Sequence, residues 1–429
     1  MSNSPKNALF QRSAHSPSFF DVKRSMSGRS VDLIDFCIPC NPYFPTPQMF
    51  AKISRNIVTT LKYYPSDNET IARELASVLR LQPQNLVLAN GSTELLTWID
   101  RLFITESLAT PIPTFGRWTD QPLETGKRLN TFQLEERDGF QLDTDRFVDF
   151  VNATKSRAAV ICNPNNPDGN YLPRHEVLYL LDRLSHLDVV VIDESFIDFV
   201  DEEELQSVAN IAASRGNVIV LKSLGKNFGL HGVRFGYLVT NPHMASQLRD
   251  ALPKWNINSV AESIIFSLKE NMPDYHASLP RIAEDRRSMF EALREIPGLK
   301  VYPSQGNFIL VRLPEGLNGV DCRDHLLNEH AIFTRECGNK KGMTSQFIRL
   351  VVRPAEDVAR LITGLKSFVA LHAASVSASA PAPASSEAPP RLVDTLPPPS
   401  GVRSIEKLLK RPVARRRAGR LVKKMFRAA

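Results

Sequence analysis

The chain has 429 residues, of which 42% are hydrophobic and 23% charged, with a formal net charge of +7. That length can bury a large core and should divide into domains, and the composition is ordinary for a soluble globular protein. No stretch reaches the ~20 apolar residues of a membrane span, the polar segment Met1–Ser30 lacks a signal-peptide core, and five scattered cysteines favour a reducing compartment, so a cytoplasmic location is expected.

In chain order, residues 1–47 read as an N-terminal segment. Within it Cys37 and Cys40 have the spacing of a metal or redox pair. No second pair and no nearby His accompany them, and prolines lie inside and after the pair, so a bent segment without metal is expected. Helices and strands alternate from 48 to 265. Helical periodicity appears at 68–80, 93–104, 173–185 and 242–251. Strands are expected at 86–89, 158–162, 188–193, 217–222 and 235–240. The pattern predicts an α/β domain, a mostly parallel sheet with helices on both faces. Residues 261–297 read as a long helical stretch leading into a smaller α+β domain, 266–372, with strands at 299–302, 307–313 and 346–352.

From Ala373 the composition turns to Ala, Ser and Pro, which predicts a linker over 373–402. Residues 403–429 hold eleven Lys and Arg against one Glu, a net +10, so residues 1–402 carry −3 of the chain's +7. Leu421, Val422, Met425 and Phe426 recur at helical spacing among the basic residues. Such a tail can lie on an anionic membrane or meet an acidic partner, and less readily nucleic acid. The alternative is a disordered, solvated tail.

The chemistry lies in the α/β region. Asp193 ends the apolar run Val189–Ile192. Asn166 lies in Asn163-Pro164-Asn165-Asn166-Pro167-Asp168-Gly169. Lys226 follows the run Val218–Leu221 in Ser223-Leu224-Gly225-Lys226, and Arg234 comes eight residues later. An amine, a strand-end carboxylate, an amide and a guanidinium are what a protein needs to hold pyridoxal 5'-phosphate as an electron sink. The aldehyde needs a lysine whose proton is easily lost, which partial burial and nearby cations favour. The pyridine nitrogen needs a facing carboxylate, and Asp193 can supply it. Asn166 can donate to the ring oxygen. Arg234 and the helix start at Asn90-Gly91-Ser92-Thr93-Glu94 can hold the phosphate. Taken singly, the Asp is a cap, the Asn-Pro stretch a turn and the Lys a solvated side chain; their ordered conjunction favours the site.

In these motifs the sequence resembles the fold-type I, aspartate-aminotransferase-like pyridoxal phosphate enzymes. Within them it is most similar to the branch holding histidinol-phosphate aminotransferase and threonine-phosphate decarboxylase. The resemblance covers about residues 31 to 370 and implies an N-terminal segment packed on the smaller domain. It implies that Lys226 is the Schiff-base lysine, Asp193 the pyridine partner and Asn166 the ring-oxygen donor. Ser92, Thr93, Ser223 and Arg234 would hold phosphate. Trp118, in Pro113-Thr114-Phe115-Gly116-Arg117-Trp118, would stack on the ring. Tyr64 would reach the phosphate of a partner subunit, so a homodimer is implied. Asn41 would face the substrate, Arg349 would bind its α-carboxylate, and Arg335 and Arg353 a distal anion or phosphate. Phe196 stands where many family aminotransferases have a tyrosine, Gly225 where a hydroxyl residue precedes the lysine, and Asp168 where Thr is usual. Phe196, Arg335-Glu336-Cys337 and Val352-Arg353 resemble the decarboxylase branch.

The expectation is therefore an aminotransferase acting on an amino-acid or amino-alcohol phosphate. The alternative is a decarboxylase of a phosphorylated amino acid. A non-catalytic scaffold carrying the basic tail is the remaining reading, and the near-complete catalytic set argues against it.

Overall fold

The computed structural model describes Phe10, residues 16–26 and residues 32–378. Most of the linker and the whole of 403–429 lie outside the described residues.

Seven strands form the first sheet. They are β2 (Leu86–Ala89), β3 (Ser107–Ile112), β4 (Arg128–Gln133), β5 (Ala158–Cys162), β6 (Val189–Asp193), β7 (Val218–Lys222) and β8 (Gly236–Val239), in the order β2-β8-β7-β6-β5-β3-β4. β7, β6, β5, β3 and β4 run parallel, and β8 lies antiparallel to both β7 and β2. β5, β6 and β7 are buried along their whole length, because helices cover both faces and each strand must be apolar on both sides. Strand alternation sorts the side chains. Val190, Ile192, Val218 and Val220 pack with Ile71, Leu75, Phe147 and Leu180 on one face. Val189, Val191, Ile219 and Leu221 pack with Leu95, Ile99, Trp118 and Leu248 on the other. Each fully buried Val or Ile contributes about 1.5–3 kcal/mol relative to exposure.

Two strands of this sheet went unread in the sequence. β3 contains Pro111, which argues against an interior strand. Its pairing with β5 involves Leu108 and Ala109, and Pro111 pairs with Phe132 of β4, so the missing N–H falls past the doubly paired stretch. β4 is a half-exposed edge strand of polar sequence, without the apolar alternation that marks a strand.

The helix Ser259–Arg294, 36 residues long, leads to a second sheet. β1 (Ile34–Phe36), β9 (Lys300–Val301), β10 (Phe308–Arg312), β11 (Ile332–Glu336) and β12 (Phe347–Val351) stand in the order β1-β11-β12-β10-β9. β1 pairs parallel with β11, so the N-terminal segment packs on this sheet; the other pairs are antiparallel. Arg335 of β11 lies directly opposite Arg349 of β12. The helix Ala355–Ala378 continues into the Ala/Ser stretch that composition assigned to the linker, since alanine carries no penalty against helix. Among the described residues, no helix is long and apolar enough to cross a membrane.

Candidate active site

β6 and β7 are parallel neighbours, with Asp193 in register with Leu221. Asp193 therefore shares the face of Leu221, and Lys222 points the other way. There Lys222 pairs with Glu194 at 3.2 Å and Asp198 at 3.4 Å. Past β7 the chain turns through Ser223 into the short helix Leu224–Asn227, which carries Lys226. The Lys226 amine lies 4.5 Å from the centroid of the Phe196 ring and 5.5 Å from that of Phe115. Burial lowers its pKa, Asp193 opposes this, and Arg349 and Arg234 push down as well. An amine so placed loses its proton readily, as covalent capture of an aldehyde requires.

Asp193 is 5% exposed. Its Oδ1 accepts from the Ser195 amide at 3.1 Å and the Ser195 hydroxyl at 2.5 Å. Its Oδ2 accepts from Trp118 Nε1 at 2.8 Å. This corrects the expectation for Trp118. The indole is fully buried beside the carboxylate and positions Asp193 instead of offering a stacking face. The aromatic ring beside the lysine is Phe115, three residues earlier.

Asn166 Oδ1 accepts from Arg349 Nη1 at 2.8 Å, which leaves the amide's N–H groups as its remaining donors, the polarity a ring oxygen requires. Arg349 also donates from Nη2 to the Cys37 carbonyl at 2.7 Å. Its Nε is buried without a partner, and its guanidinium lies 5.2 Å from the Phe308 ring. A buried, unpartnered N–H on a cation is costly unless a ligand meets it.

The helix Ser92–Leu102 starts at Gly91, whose φ is +86°. A Cβ there would stand 2.6 Å from Arg234 Nη2, and one at Gly236 would stand 2.6 Å from the Ser92 amide. The guanidinium and the start of β8 thus close on the helix N-terminus, a cradle suited to a phosphate. Ser92 is half-buried, Thr93 exposed and Ser223 buried. Gly225 has a packing reason: a Cβ would meet the Leu230 carbonyl and His231 Cα at 3.3 Å.

Asn41 requires a second correction. It is 3% exposed, and its amide donates to the Asn227 carbonyl at 3.0 Å and Ser278 Oγ at 2.8 Å while accepting from the Tyr43 amide at 2.9 Å. Its own N–H donates to the Lys226 carbonyl at 3.1 Å. Asn41 ties the N-terminal segment to the lysine loop and does not present its side chain to a substrate. Tyr64 is 84% exposed and leans on Trp255 at 5.5 Å. Arg335 donates to Ser16 Oγ at 3.1 Å and Asn339 Oδ1 at 2.7 Å. Arg353 pairs with Asp357 at 2.8 Å. Asp168 caps the asparagine loop, accepting from Asn165 Nδ2 at 2.5 Å and the Asn170 amide at 2.9 Å, and burial pushes its carboxyl up to about 6. All five cysteines are free thiols, and no cluster of three metal-binding side chains occurs among the described residues.

Sequence reasoning missed Ser195 and Phe115 in its role beside Lys226. Parity could have found Ser195, two residues beyond Asp193 on the same line of the chain.

The aminotransferase class I and II family model matches residues 31–365, and the chain belongs to that family. L-serine phosphate decarboxylase of Sulfurospirillum multivorans is 30% identical over 83% of this chain and 93% of its own length. A solved decarboxylase structure from the same organism matches with a TM-score of 0.77 at 30% identity, covering 84% of this chain and 94% of that one. A histidinol-phosphate aminotransferase of Ruminiclostridium cellulolyticum is 28% identical over 76% of this chain and 89% of its length. The protein is a pyridoxal phosphate-dependent enzyme with the aminotransferase fold. The residues fit that cofactor: the Gly91–Arg234 cradle would take its phosphate, Asp193 its ring nitrogen, Asn166 its ring oxygen and Lys226 its aldehyde.

Proposed function

We propose that the enzyme decarboxylates a phosphorylated amino acid of the O-phospho-L-serine class. The observation that carries this reading is the similarity to L-serine phosphate decarboxylase along nearly the whole of that protein. Transamination, the first expectation from sequence, is the second reading, supported by the 28% identical aminotransferase relative. Two features of the site favour decarboxylation. By the family resemblance Phe196 stands where many aminotransferases have a tyrosine, and Arg335 lies opposite Arg349, where two guanidiniums would serve one doubly charged group.

Bound pyridoxal phosphate supplies the electron sink, and the chain decides which bond breaks. Asp193, fixed by Trp118 and Ser195, keeps the ring nitrogen protonated. The resemblance gave Arg349 to the α-carboxylate; the decarboxylase reading moves it, because if Arg349 and Arg335 hold the phosphate ester, their planar forks fix that end of the substrate. The carboxylate then has no arginine clamp and can stand perpendicular to the ring. The Cα–carboxyl bond breaks, CO₂ leaves, and its electron pair remains on the Cα side. The Lys226 amine would deliver a proton to Cα. From O-phospho-L-serine the product is ethanolamine phosphate. Incubating the purified enzyme with O-phospho-L-serine and 2-oxoglutarate tests this. CO₂ and ethanolamine phosphate without glutamate support it; glutamate formation supports transamination.

Two partners belong to the same reading. A two-fold homodimer would cover the exposed Val58, Leu61, Tyr63, Tyr64 and Trp255 and let Tyr64 reach a neighbouring phosphate cradle. The tail 403–429, with its net +10, would associate with anionic surfaces, more steeply at low salt. Vesicle co-sedimentation with an oligonucleotide competitor separates lipid from nucleic acid, and binding to neither at low salt removes the tail proposal.

A further inference from the structure

The hairpin joining β11 to β12 brings a third basic side chain, Lys340, toward the arginine pair. Its turns are tied by the Lys340 amide donating to the Cys337 carbonyl at 3.0 Å and the Met343 amide donating to the Lys340 carbonyl at 3.1 Å. It lies against the loop that holds Phe115: a Cβ at Gly342 would stand 3.3 Å from the Pro113 nitrogen and 3.0 Å from Gln133 Oε1. Lys340 Nζ donates to the Thr114 carbonyl at 2.8 Å, one residue before the ring that faces Lys226. The groups acting on this amine are Arg335 and Cys337 from its own strand and hairpin, Arg349 from β12 and Cys162 from β5. Burial, aided by Arg335 and Arg349, pushes its pKa down to about 7.

Neither Lys340 nor Arg349 forms an ion pair with a carboxylate among the described residues, although Asp35 of β1 acts on Arg349 from farther off, and Arg349 Nε is buried with no partner. A buried guanidinium without a paired carboxylate is costly unless an anion arrives, and an anion beside the Lys340 amine would hold that amine in its charged form. Three basic side chains thus converge at one end of the site with Asp35 alone acting on Arg349 and no carboxylate among the groups acting on Lys340, and a dianion matches that excess better than a monoanion does.

We propose that Lys340 is a specificity-determining residue, leaving the Thr114 carbonyl to contact a substrate phosphate ester held also by Arg349 and Arg335. This rests on the reading of the substrate as a phosphorylated amino acid. Lys340 selects for the phosphate over the bare hydroxyl. A point charge on a flexible stem suits this task, since it can follow the ester's position while the arginines fix its plane.

The test compares O-phospho-L-serine with L-serine by titration of the full-length holoenzyme, following the cofactor's absorbance. Lys340→Gln should weaken O-phospho-L-serine binding at least ~10-fold and change L-serine binding less than ~2-fold, while Lys340→Arg should recover most of the loss. Equal weakening of both ligands, or an unchanged preference for the ester, would overturn the proposal. If wild-type enzyme binds both ligands equally, the phosphorylated-substrate reading fails and takes this site with it; that outcome is visible before any variant is made. Should Lys340→Gln lose its cofactor, wild-type enzyme still decides. Acetylation of Lys340, read by mass spectrometry, should be suppressed by O-phospho-L-serine and not by L-serine. Absence of selective protection would overturn the proposal.

Discussion

Replacing Trp118 by Phe separates two roles for that side chain. Phe keeps an aromatic face, so a stacking residue would tolerate the change. Phe lacks the indole N–H, so Asp193 Oδ2 loses the donor that stands 2.8 Å away. A hydrogen bond to a buried charged group contributes about 1.5–3 kcal/mol. If Asp193 must be held in place throughout the reaction, that loss appears in the barrier as a fall of about 10- to 150-fold in turnover. Asp193 keeps its two Ser195 contacts, which places the expected value toward the lower end. The companion change is Phe115→Leu, which removes the ring beside Lys226. An aromatic contact is worth about 0.5–1.5 kcal/mol, so cofactor affinity should fall about 3- to 10-fold with a smaller effect on turnover at saturation. The assay is cofactor titration by absorbance together with turnover at saturating cofactor, with circular dichroism to verify the fold. A Trp118→Phe enzyme within twofold of wild type in both measurements would refute the role given to the indole.

Asp193→Asn removes the charge that keeps the ring nitrogen protonated, and turnover should fall at least ~100-fold, about 2.7 kcal/mol of barrier; a loss below fivefold would mean that another group protonates the ring. Mixing inactive Lys226→Ala subunits with impaired Tyr64→Phe subunits should regenerate activity at sites built from two intact contributions, whereas a fully active monomer by sedimentation would contradict a shared site. Asp168 has a folded pKa of about 6, above its ordinary 3.8, so the folded state binds its proton more tightly than the unfolded chain does. Its contribution to stability is full below pH 3.8 and is lost as pH rises through 6. Asp168→Asn should remove that slope from urea midpoints measured across this window, and equal slopes in the two proteins would contradict the burial argument.

Much of this molecule could be read from the chain because its central strands are buried on both faces. The unbroken runs before Asp193 and Lys226 mark β6 and β7, and the polar groups that end them mark the site. Where a strand lies at an edge or contains proline, as in β4 and β3, composition hides it. β1 is three residues long, too short for periodicity to register, and β11, Ile332–Glu336, turns polar after two apolar residues. Site errors arose where one motif offers two candidates. Pro113–Trp118 contains two aromatics, and only their three-dimensional placement tells the ring beside Lys226 from the one bound to Asp193. Asn41 has the right residue type near the right loop, but its hydrogen bonds show a tether. Lys340 gave no signal because its position depends on a hairpin crossing to the loop at Thr114.

The most direct test of the proposed reaction follows hydrogen at Cα. Enzyme and O-phospho-L-serine are incubated in D₂O and the products read by proton NMR. Decarboxylation with proton delivery by Lys226 predicts ethanolamine phosphate that keeps the original Cα hydrogen and gains a single deuteron beside it, with no requirement for 2-oxoglutarate. Loss of the original Cα hydrogen, with the keto acid appearing only when 2-oxoglutarate is present, would contradict the account and establish transamination.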